Sequence, residues 1–400
     1  MSVVARFGWI DLVREVLLNF DTVTIANNTE TVLGQGSIKT LSQRLDEYGI
    51  TRPLICTDQG LVEVGLCEIL KANLKNGMVG TFFDMTPANP GETDVYKAAE
   101  VFKKNRCNGV IGFGGGSSLD LAKAVALVSN HSEELVNYTV HRGGVGKIGP
   151  IAPLIAIPTT SGTGSEVARA SVIILRSGEK RIIASPHMIP KVSILDPDLT
   201  ISLPPALTAS TGMDAVSHCL EAICSPLKNL SAEAIGFCGL SKAIRDGALL
   251  KAFENGSNKN ARYDMLTVST QGGMAFSKGL GAVHAMSHAC GKNEQLRLHH
   301  GTLNAVLLPD VLRFNEESIL DKLPKIREAM GLKENSDVPL AIEEINRQFS
   351  LPRNLFEMGL NAQMIPELAA HCVDDMCSAT NPRKMDLEAY TALFESAFRR

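Results

Sequence analysis

The sequence lacks a hydrophobic run long enough to cross a membrane, because no apolar stretch in its 400 residues reaches the roughly 18–20 residues that a membrane span needs. It also lacks a basic excess, since 43 Asp and Glu residues outnumber 39 Lys and Arg residues and the net charge is -4. Nucleic acids and anionic membranes favour basic partners. The composition therefore predicts a globular protein whose main partner is neither nucleic acid nor membrane.

Paired cysteines are missing as well. The nine cysteines are an odd number, none forms a CxxC pair, and most lie in apolar runs such as "LICTD" and "GFCGL". A disulfide framework usually shows an even set of cysteines at regular spacing. This pattern predicts buried free thiols in a reducing compartment, and we expect a cytoplasmic protein.

The first twenty residues, "MSVVARFGWIDLVREVLLNF", place apolar residues at helical spacing. Asp11, Arg14 and Glu15 interrupt any signal-peptide core, so we interpret this segment as an amphipathic arm. A chain of this size with an apolar arm favours a homo-oligomer, a dimer or higher. The sequence indicates no symmetry for it.

Short apolar runs alternate with helix-like segments in the first half of the chain. Five of these runs predict buried strands, at residues 52–58, 78–84, 107–114, 153–160 and 191–196. Segments with apolar residues at i, i+3 and i+4 lie between them, as at 62–75 and 92–105. This alternation predicts a mostly parallel sheet with helices on both faces.

The pattern changes after the proline-rich segment at residues 196–210 and is helical almost throughout from about residue 206. We find no convincing buried strand beyond residue 210. The sequence therefore predicts an α/β domain at residues 1–204, followed by an all-helical domain at residues 205–400.

The stretch "GFGGGSSLDLAKAVAL" at 112–127 follows a predicted strand and opens a helix. Glycines allow the backbone to approach a pyrophosphate closely, and the start of the helix favours negative charge. The hydroxyls of Ser117 and Ser118 can cap that helix or donate to phosphate. A glycine cluster alone is equally compatible with an ordinary tight turn.

Two further features favour a dinucleotide site. The stretch "IPTTSGTGSE" at 157–166 ends another strand with hydroxyls and glycines, and Asp58 ends the strand "RPLICTD". A carboxylate at that position can accept from a ribose 2′-OH and repel a 2′-phosphate, which favours NAD over NADP. Asp58 precedes the glycine loop, whereas the acidic residue of the ordinary Rossmann fingerprint follows it. An exposed aspartate without this role remains the alternative for Asp58.

Aspartate and histidine residues cluster at helical spacing in the second half. Asp214 and His218 are four residues apart, His284 and His288 repeat this spacing, and His300 precedes a glycine. One carboxylate with three of these four imidazoles and no thiolate suits Fe(II), Zn(II) or Mn(II). Histidines in a helical core are the alternative explanation.

Five motifs in order now show a resemblance: "GGGSSLDLAK", "IPTTSGTGSEV", "TGMDAVSH", "GLGAVHAMSH" and "HHGTLNAVLLP". Together they are similar to the iron-containing (group III) alcohol dehydrogenase family. The match runs from "ICTDQG" to "TNPRKMDLEAY", over nearly the whole chain. The resemblance implies a Rossmann-like NAD-binding domain followed by a helical metal-binding domain, as in the dehydroquinate synthase-like fold.

The resemblance also implies which residues form the sites. It implies that the metal ligands are Asp214, His218, His284 and His300, and that His288 lies beside the metal. The residues that match the family's cofactor positions are Asp58, Asn89, Gly115, Gly116, Ser117, Thr159, Thr160 and Lys180.

One departure from the family concerns the last ligand. Many members have nine residues between the second histidine of the HxxxH pair and the histidine before glycine, whereas "ACGKNEQLRLH" here has eleven. This length leaves both His299 and His300 as ligand choices. We prefer His300, because its HG context matches the family, and keep His299 as the alternative.

The implied chemistry is NAD-linked hydride transfer in which the metal, Fe(II) or else Zn(II), polarises the substrate oxygen as a Lewis acid and favours the alkoxide. His288 is the predicted group that moves the alcohol proton to solvent, because imidazole titrates near working pH. Its alternative is a histidine that only shapes the site.

Substrate choice is suggested by the closest resemblance, which is to the 4-hydroxybutyrate dehydrogenase branch. A small ω-hydroxy acid such as 4-hydroxybutyrate, or succinate semialdehyde in reverse, needs a cation for its carboxylate. We name Lys278 and Arg169 as this cation, with Lys292 and Arg297 as further choices, although a solvated surface charge is the better explanation for each of them taken singly. The alternatives are a general primary-alcohol or diol dehydrogenase and, more distantly, a dehydroquinate-synthase-like lyase.

Overall fold

The structure is a computed structural model that describes residues 10, 11, 13–15, 29–75, 77–293 and 296–399. The predicted amphipathic arm at residues 1–20 lies largely outside these residues. In the described part of the chain, no helix is both long and apolar enough to span a lipid bilayer. All nine cysteines are free thiols, of which eight are buried and Cys238 is exposed.

The chain divides into two compact units. The first, which we call the sheet unit, contains residues 29–203 and 255–266. The second, the helical unit, contains residues 204–254 and 267–399 and the described residues between 10 and 15. The predicted division into domains at residues 204 and 205 stays a prediction.

The strands of the sheet unit are β1 (Glu30–Leu33), β2 (Pro53–Cys56), β3 (Thr81–Phe83), β4 (Gly109–Gly114), β5 (Leu154–Pro158), β6 (Ala170–Ile174), β7 (Lys180–Ala184) and β8 (Val192–Leu195). Six of them form a sheet in which all strands are parallel, in the order β1-β8-β5-β4-β2-β3. Strands β6 and β7 form a separate antiparallel pair. The five predicted strands correspond to β2, β3, β4, β5 and β8.

Five helices accompany this sheet: α1 (Leu41–Glu47), α2 (Gln59–Glu63), α3 (Leu66–Ala72), α4 (Glu92–Lys104) and α5 (Gly116–Val128). The predicted helix at 62–75 is divided at Gly65, whose left-handed backbone (φ +78°) ends α2 and starts α3. Only glycine adopts this conformation without strain.

Alternate residues of the strands supply two separate cores, because side chains along a strand point to opposite faces. Leu54, Cys56 and Val110 pack with α4 and α5, whereas Ile55 and Ile111 pack with α1 and α3. Both faces of the sheet are therefore covered by helices, which explains why its strands read as continuous apolar runs.

The helical unit contains no strand among its described residues. Its helices are α6 (Pro205–Cys224), α7 (Leu230–Leu240), α8 (Ala248–Glu254), α9 (Lys259–Ala275), α10 (Ala282–Gly291), α11 (His300–Asn315), α12 (Leu323–Met330), α13 (Val338–Gln348), α14 (Ile365–Val373) and α15 (Leu387–Arg399). Of α9, only the residues from 267 onward belong to this unit. The predicted fold class, a parallel Rossmann-like sheet followed by an all-helical part, is confirmed.

Candidate functional site

The predicted cofactor residues of the sheet unit gather at one edge of the sheet. Asp58 follows β2, Asn89 follows β3, and the glycine loop follows β4. Carboxyl ends of parallel strands meet at the same edge, and β4 lies on the opposite side of β2 from β3. Ligands in such sheets bind outside the carboxyl ends, where the strand order reverses.

The glycine loop packs too closely against neighbouring side chains to accept a Cβ at two of its positions. A Cβ on Gly114, whose φ is +150°, would lie 2.6 Å from Oγ of Ser118, and a Cβ on Gly116 would lie 2.6 Å from Cγ2 of Thr163. Gly115, the residue before α5, provides no side-chain cap for the first turn of that helix. The loop and the helix start therefore have the form of an anion-binding cradle.

Hydrogen bonds connect predicted cofactor residues from several segments. The backbone N–H of Asn89 donates to Oγ of Ser117 at 3.3 Å, and Nζ of Lys180 donates to Oδ1 of Asn89 at 2.8 Å. Oγ of Ser118 donates to Oδ2 of Asp58 at 3.4 Å. The loops after β2, β3 and β4 and strand β7 are thus linked by hydrogen bonds that all involve side chains.

The two threonines lie against the same loop. The backbone N–H of Thr159 donates to the carbonyl of Gly114 at 3.0 Å, and a Cβ on Gly115 would lie 3.4 Å from Cγ2 of Thr160. The hydroxyl-rich segment after β5 therefore borders the glycine loop after β4. These groups fit a pyrophosphate, which binds through backbone N–H and hydroxyl donors.

Asp58 also has a structural role. Its Oδ1 accepts from the backbone N–H of Leu61 at 3.2 Å, so it is the N-cap of α2. Burial raises the pKa of Asp58, and hydrogen bonds from Leu61, Ser118 and Gly60 oppose this increase. Because the side chain is partly buried and bonded, Asp58 is not a free surface aspartate.

The four predicted metal ligands come together in the helical unit. Nε2 of His218, His284 and His300 lies 3.8, 3.9 and 3.8 Å from the same Oδ1 of Asp214. Helix α6 carries Asp214 and His218, α10 carries His284, and α11 begins at His300. These separations are too long for hydrogen bonds. Asp214, His218 and His284 each offer one ligand atom within 4.8 Å of the others, and His300 approaches the same oxygen of Asp214.

The donor set fits a divalent transition metal. Metal bonds to imidazole nitrogen and carboxylate oxygen are about 2.0–2.2 Å long, so two ligands of one ion lie at most about 4.4 Å apart. Asp214, His218 and His284 are buried, with 2, 4 and 2% of their surface exposed. Three imidazoles and one carboxylate suit Fe(II) or Zn(II).

Two of the imidazoles are oriented through their other nitrogen. Nδ1 of His284 contacts Oε2 of Glu221 in a short hydrogen bond. Nδ1 of His300 lies 3.0 Å from Oγ of Ser287, which donates to the carbonyl of His284 at 3.3 Å. Both partners can therefore accept an Nδ1–H, which leaves the Nε2 lone pairs facing Asp214.

Asn304 contacts three of the four predicted ligands. Its Nδ2 donates to Oδ1 of Asp214 at 2.6 Å and lies 3.2 Å from Nε2 of both His284 and His300. Its Oδ1 is buried without a hydrogen-bond partner. The amide therefore holds the carboxylate in the cluster and leaves an unused acceptor beside it.

Carboxylates dominate the electrostatics of this cluster. Burial works against a charged His284 ring, but Glu221, Asp214 and Asp375 outweigh it and raise the pKa of His284. These carboxylates therefore attract positive charge to the cluster. A bound divalent cation would satisfy the same carboxylates.

His288 lies beside the ligands but has a different partner. Its Nδ1 lies 2.9 Å from Oδ2 of Asp375, and its ring stacks on that of His300 with centroids 5.5 Å apart. Burial raises the pKa of Asp375, but His288 and the backbone N–H of Cys377 outweigh it and hold this pKa well below its usual range. Asp375 is thus a carboxylate that accepts from His288.

The structure separates the two histidines that compete for the last ligand position. His299 is exposed and caps α11, where its Nδ1 accepts from the backbone N–H of Thr302 at 3.3 Å. His300 faces Asp214. A Cβ on Gly301 would lie 2.3 Å from the carbonyl oxygen of Ser210, so the glycine of the HG motif allows α11 to approach α6. This arrangement favours His300.

The two named substrate cations differ in their surroundings. Lys278 is 2% exposed, and its Nζ donates to the carbonyls of Ala222, Ile223 and Ser225 at the end of α6 and lies 2.7 Å from Glu233. This environment disfavours the substrate role that we expected for Lys278, because its donors bind the protein itself. Arg169 is exposed in the sheet unit.

Sequence reasoning missed three polar residues of the cluster: Glu221, Asn304 and Asp375. Glu221 follows His218 by three residues and Asn304 follows His300 by four, so helical spacing could have indicated both. Nothing local indicates Asp375, which is 87 residues from His288.

Comparison with known proteins shows the family of the chain. Residues 28–197 match the family model described as "Iron-containing alcohol dehydrogenase". Residues 208–398 match the model described as "Fe-containing alcohol dehydrogenase family, C-terminal". The two matches together cover most of the chain.

Individual relatives match over nearly their whole length. The chain is 40% identical to a 4-hydroxybutyrate dehydrogenase from Cupriavidus necator, over 90% of this chain and 96% of the relative. It is 32% identical to an NAD-dependent methanol dehydrogenase from Bacillus methanolicus, over 92% and 97%. A solved 1,3-propanediol oxidoreductase superposes with a TM-score of 0.89 at 32% identity, over 94% of this chain and 100% of the other. The chain therefore belongs to the iron-containing alcohol dehydrogenase family and is an oxidoreductase, as its motifs predicted.

Proposed function

We propose that this enzyme transfers a hydride between NAD(H) and a small ω-hydroxy acid. 4-Hydroxybutyrate is the proposed alcohol, and succinate semialdehyde is the aldehyde that it yields. Oxidation of the alcohol reduces NAD to NADH and releases one proton. The observation that carries the reaction class is the convergence of Asp214, His218 and His284 with His300 in one cluster.

The cofactors follow from the two sets of residues. A divalent metal, Fe(II) or alternatively Zn(II), would act as a Lewis acid, and nicotinamide would carry the hydride. Asp214 and the three histidines would hold the metal. The cradle at Gly115 and Gly116 would receive the pyrophosphate. Asp58 would accept from the ribose hydroxyl and so favour NAD over NADP.

His288 is the proposed proton acceptor for alcohol oxidation. Donation of its Nδ1–H to Asp375 leaves the lone pair on Nε2, which can accept the hydroxyl proton and pass it to solvent. Asp375 stays charged because its pKa is held low. In aldehyde reduction, the same nitrogen would return the proton.

The substrate class is supported by the 40% identical 4-hydroxybutyrate dehydrogenase. Arg169 is the proposed partner of the substrate carboxylate, because it is an exposed cation on the sheet unit, which carries the predicted cofactor residues. A general primary-alcohol or diol dehydrogenase is the second candidate. It is favoured by the methanol and 1,3-propanediol dehydrogenases among the relatives.

A substrate panel decides between these candidates. Protein purified without oxygen is analysed for metal and assayed at the nicotinamide absorbance band with 4-hydroxybutyrate, 1-butanol and 1,4-butanediol, and with succinate semialdehyde in reverse. We expect kcat/KM for 4-hydroxybutyrate to exceed that for the uncharged alcohols at least about tenfold. Equal values across the panel would favour the second candidate.

We also propose that the enzyme is a cytoplasmic homo-oligomer. Nine free thiols, eight of them buried, support a reducing compartment. Light scattering coupled to gel filtration tests the oligomeric state, and a monomer mass near 42.9 kDa would contradict it.

A further inference from the structure

Glu221 connects the predicted metal ligands to the start of the helix that carries His284. It lies on α6, three residues after His218, and is 6% exposed. Its Oε1 accepts from the backbone N–H of Val283 at 2.8 Å, and its Oε2 is the partner of Nδ1 of His284. One carboxylate therefore contacts two consecutive residues of α10.

The contact with Val283 satisfies a helix end. The first N–H groups of a helix have no partner within the helix, and Gly281, the residue before α10, provides no side-chain cap. Glu221 supplies the missing acceptor from another helix, and Oδ1 of Asn381 accepts from the N–H of Ala282 at 3.1 Å. A carboxylate at this position is also favoured by the helix dipole.

The lack of a side chain at Gly281 leaves space for the carboxylate of Glu221. A Cβ at this position would lie 2.9 Å from Oε1 of Glu221 and 2.8 Å from Oδ1 of Asn381. The backbone of Gly281 has φ -150°, which any residue can adopt. The glycine is therefore required by the close approach of the two acceptors and not by its own conformation.

We propose that Glu221 is a positioning residue that fixes the His284 ring for metal binding and at the same time caps the helix that presents it. This inference rests on the proposed role of His284 as a ligand. Because Glu221 accepts the Nδ1–H, the Nε2 lone pair of His284 faces Oδ1 of Asp214, 3.9 Å away. Metal affinity and the order of the first turn of α10 thus depend on one side chain.

The substitution Glu221→Gln keeps the shape of the side chain and removes its carboxylate, so it tests the carboxylate alone. Val283 and His284 contact different oxygens of the Glu221 carboxylate. An amide has only one oxygen, so in the same side-chain position it can occupy only one of these two places. In either orientation its NH2 group faces an N–H donor. If the oxygen caps the helix, His284 is driven toward the tautomer with a proton on Nε2, which cannot bind metal.

The test is a titration of the metal-free protein with Co(II) or Zn(II) against a competing chelator. We expect Glu221→Gln to raise the metal dissociation constant about 10- to 100-fold, the usual effect of losing a partner of a ligand histidine. The Co(II) form should also change its visible spectrum, which reports ligand geometry. Asp310→Asn is the matched control, because Asp310 is another buried carboxylate of the helical unit, bonded to Ser396. It should change neither quantity.

Gly281→Ala tests the arrangement without altering Glu221. Its new methyl group should displace the carboxylate, so we expect weaker metal binding and faster hydrogen exchange at the first turn of α10. Metal affinity within twofold of wild type and an unaltered Co(II) spectrum in both Glu221→Gln and Gly281→Ala would overturn the inference.

Asp214→Asn distinguishes this failure from failure of the proposed function. If Asp214→Asn loses the metal while Glu221→Gln retains it, only the role of Glu221 is overturned. If wild-type protein binds no metal at this site, the proposed function and the inference are both overturned.

Discussion

Nδ1 of His288 lies 2.9 Å from Oδ2 of Asp375, and both side chains are buried, with only 5 and 6% of their surface exposed. Oδ1 of the same carboxylate accepts from the backbone N–H of Cys377 at 2.8 Å. Asp375 is therefore held from one side and orients His288 from the other. In this arrangement Nε2 of His288 carries the lone pair.

Asp375→Asn should impair turnover more than metal binding. The asparagine oxygen can still accept from Cys377, but its NH2 group then faces His288 and favours the wrong tautomer. We expect kcat to fall at least about tenfold, since general-base catalysis contributes about 10²–10⁴-fold. Metal content should equal that of wild type, and Asp374→Asn should be near wild type in both measurements. An unchanged kcat would remove His288 from proton transfer.

His284→Ala should lose metal and activity together. The substitution removes one of four ligands and leaves Glu221 buried without its partner. We expect the metal content after anaerobic purification to fall below about one tenth of the wild-type value, with a parallel loss of turnover. His131→Ala, in the sheet unit, serves as control. Full activity at unchanged metal content in His284→Ala would contradict the ligand assignment.

Asp58→Gly should improve the use of NADP relative to NAD. Removing the carboxylate abolishes its repulsion of a 2′-phosphate, and we expect the ratio of kcat/KM for NADP to that for NAD to rise at least about tenfold. Glycine is itself an acceptable N-cap, so the cost to α2 should be only a few tenths of a kcal/mol. Asp46→Gly, in α1, should leave the ratio unchanged. The same ratio in Asp58→Gly and wild type would exclude Asp58 from cofactor selection.

Lys278→Met should destabilise the helical unit without changing substrate selectivity. Burial lowers the pKa of Lys278, and Glu233 opposes this change, so the ammonium is a buried charge held by its partners. Losing it leaves three carbonyls and Glu233 with fewer donors, at a cost of about 2–4 kcal/mol in the free energy of unfolding. Urea titration measures this cost, and the exposed Lys325→Met is the control. A selective increase in KM for 4-hydroxybutyrate would restore Lys278 as a substrate residue.

Arg169→Gln should weaken the binding of a carboxylate substrate alone. A charge-assisted hydrogen bond contributes about 1.5–3 kcal/mol, so we expect KM for 4-hydroxybutyrate to rise about tenfold or more. KM for 1,4-butanediol should be unaffected. Arg106→Gln is a suitable control, because Arg106 precedes β4 and so lies at the amino end of the strand. An equal effect on both substrates would exclude carboxylate recognition by Arg169.

The central strands could be predicted from the sequence because both of their faces are buried. Each of β2, β4, β5 and β8 is buried at every position, and this produces a continuous apolar run. The edge strand β1 has two exposed and two partly exposed residues and gave no such signal. It becomes a strand because β8 offers it a pairing partner, and the β6–β7 pair likewise depends on the pairing of two segments.

Most of the predicted ligand residues could be found from the sequence, because four-residue spacing on a helix places two side chains on one face in any surroundings. That spacing indicated Asp214 with His218 and His284 with His288. The glycine after His300 indicated this residue, and the resemblance to a family selected the four predicted ligands among these residues. Which groups face the other imidazole nitrogens depends on how α6, α10 and α11 pack, so the roles of Glu221, Asn304 and Asp375 emerged only from the tertiary structure. The contacts of Lys278 with the carbonyls at the end of α6 are also seen only in the tertiary structure. The sequence does not indicate whether water or carbonyl groups surround a lysine.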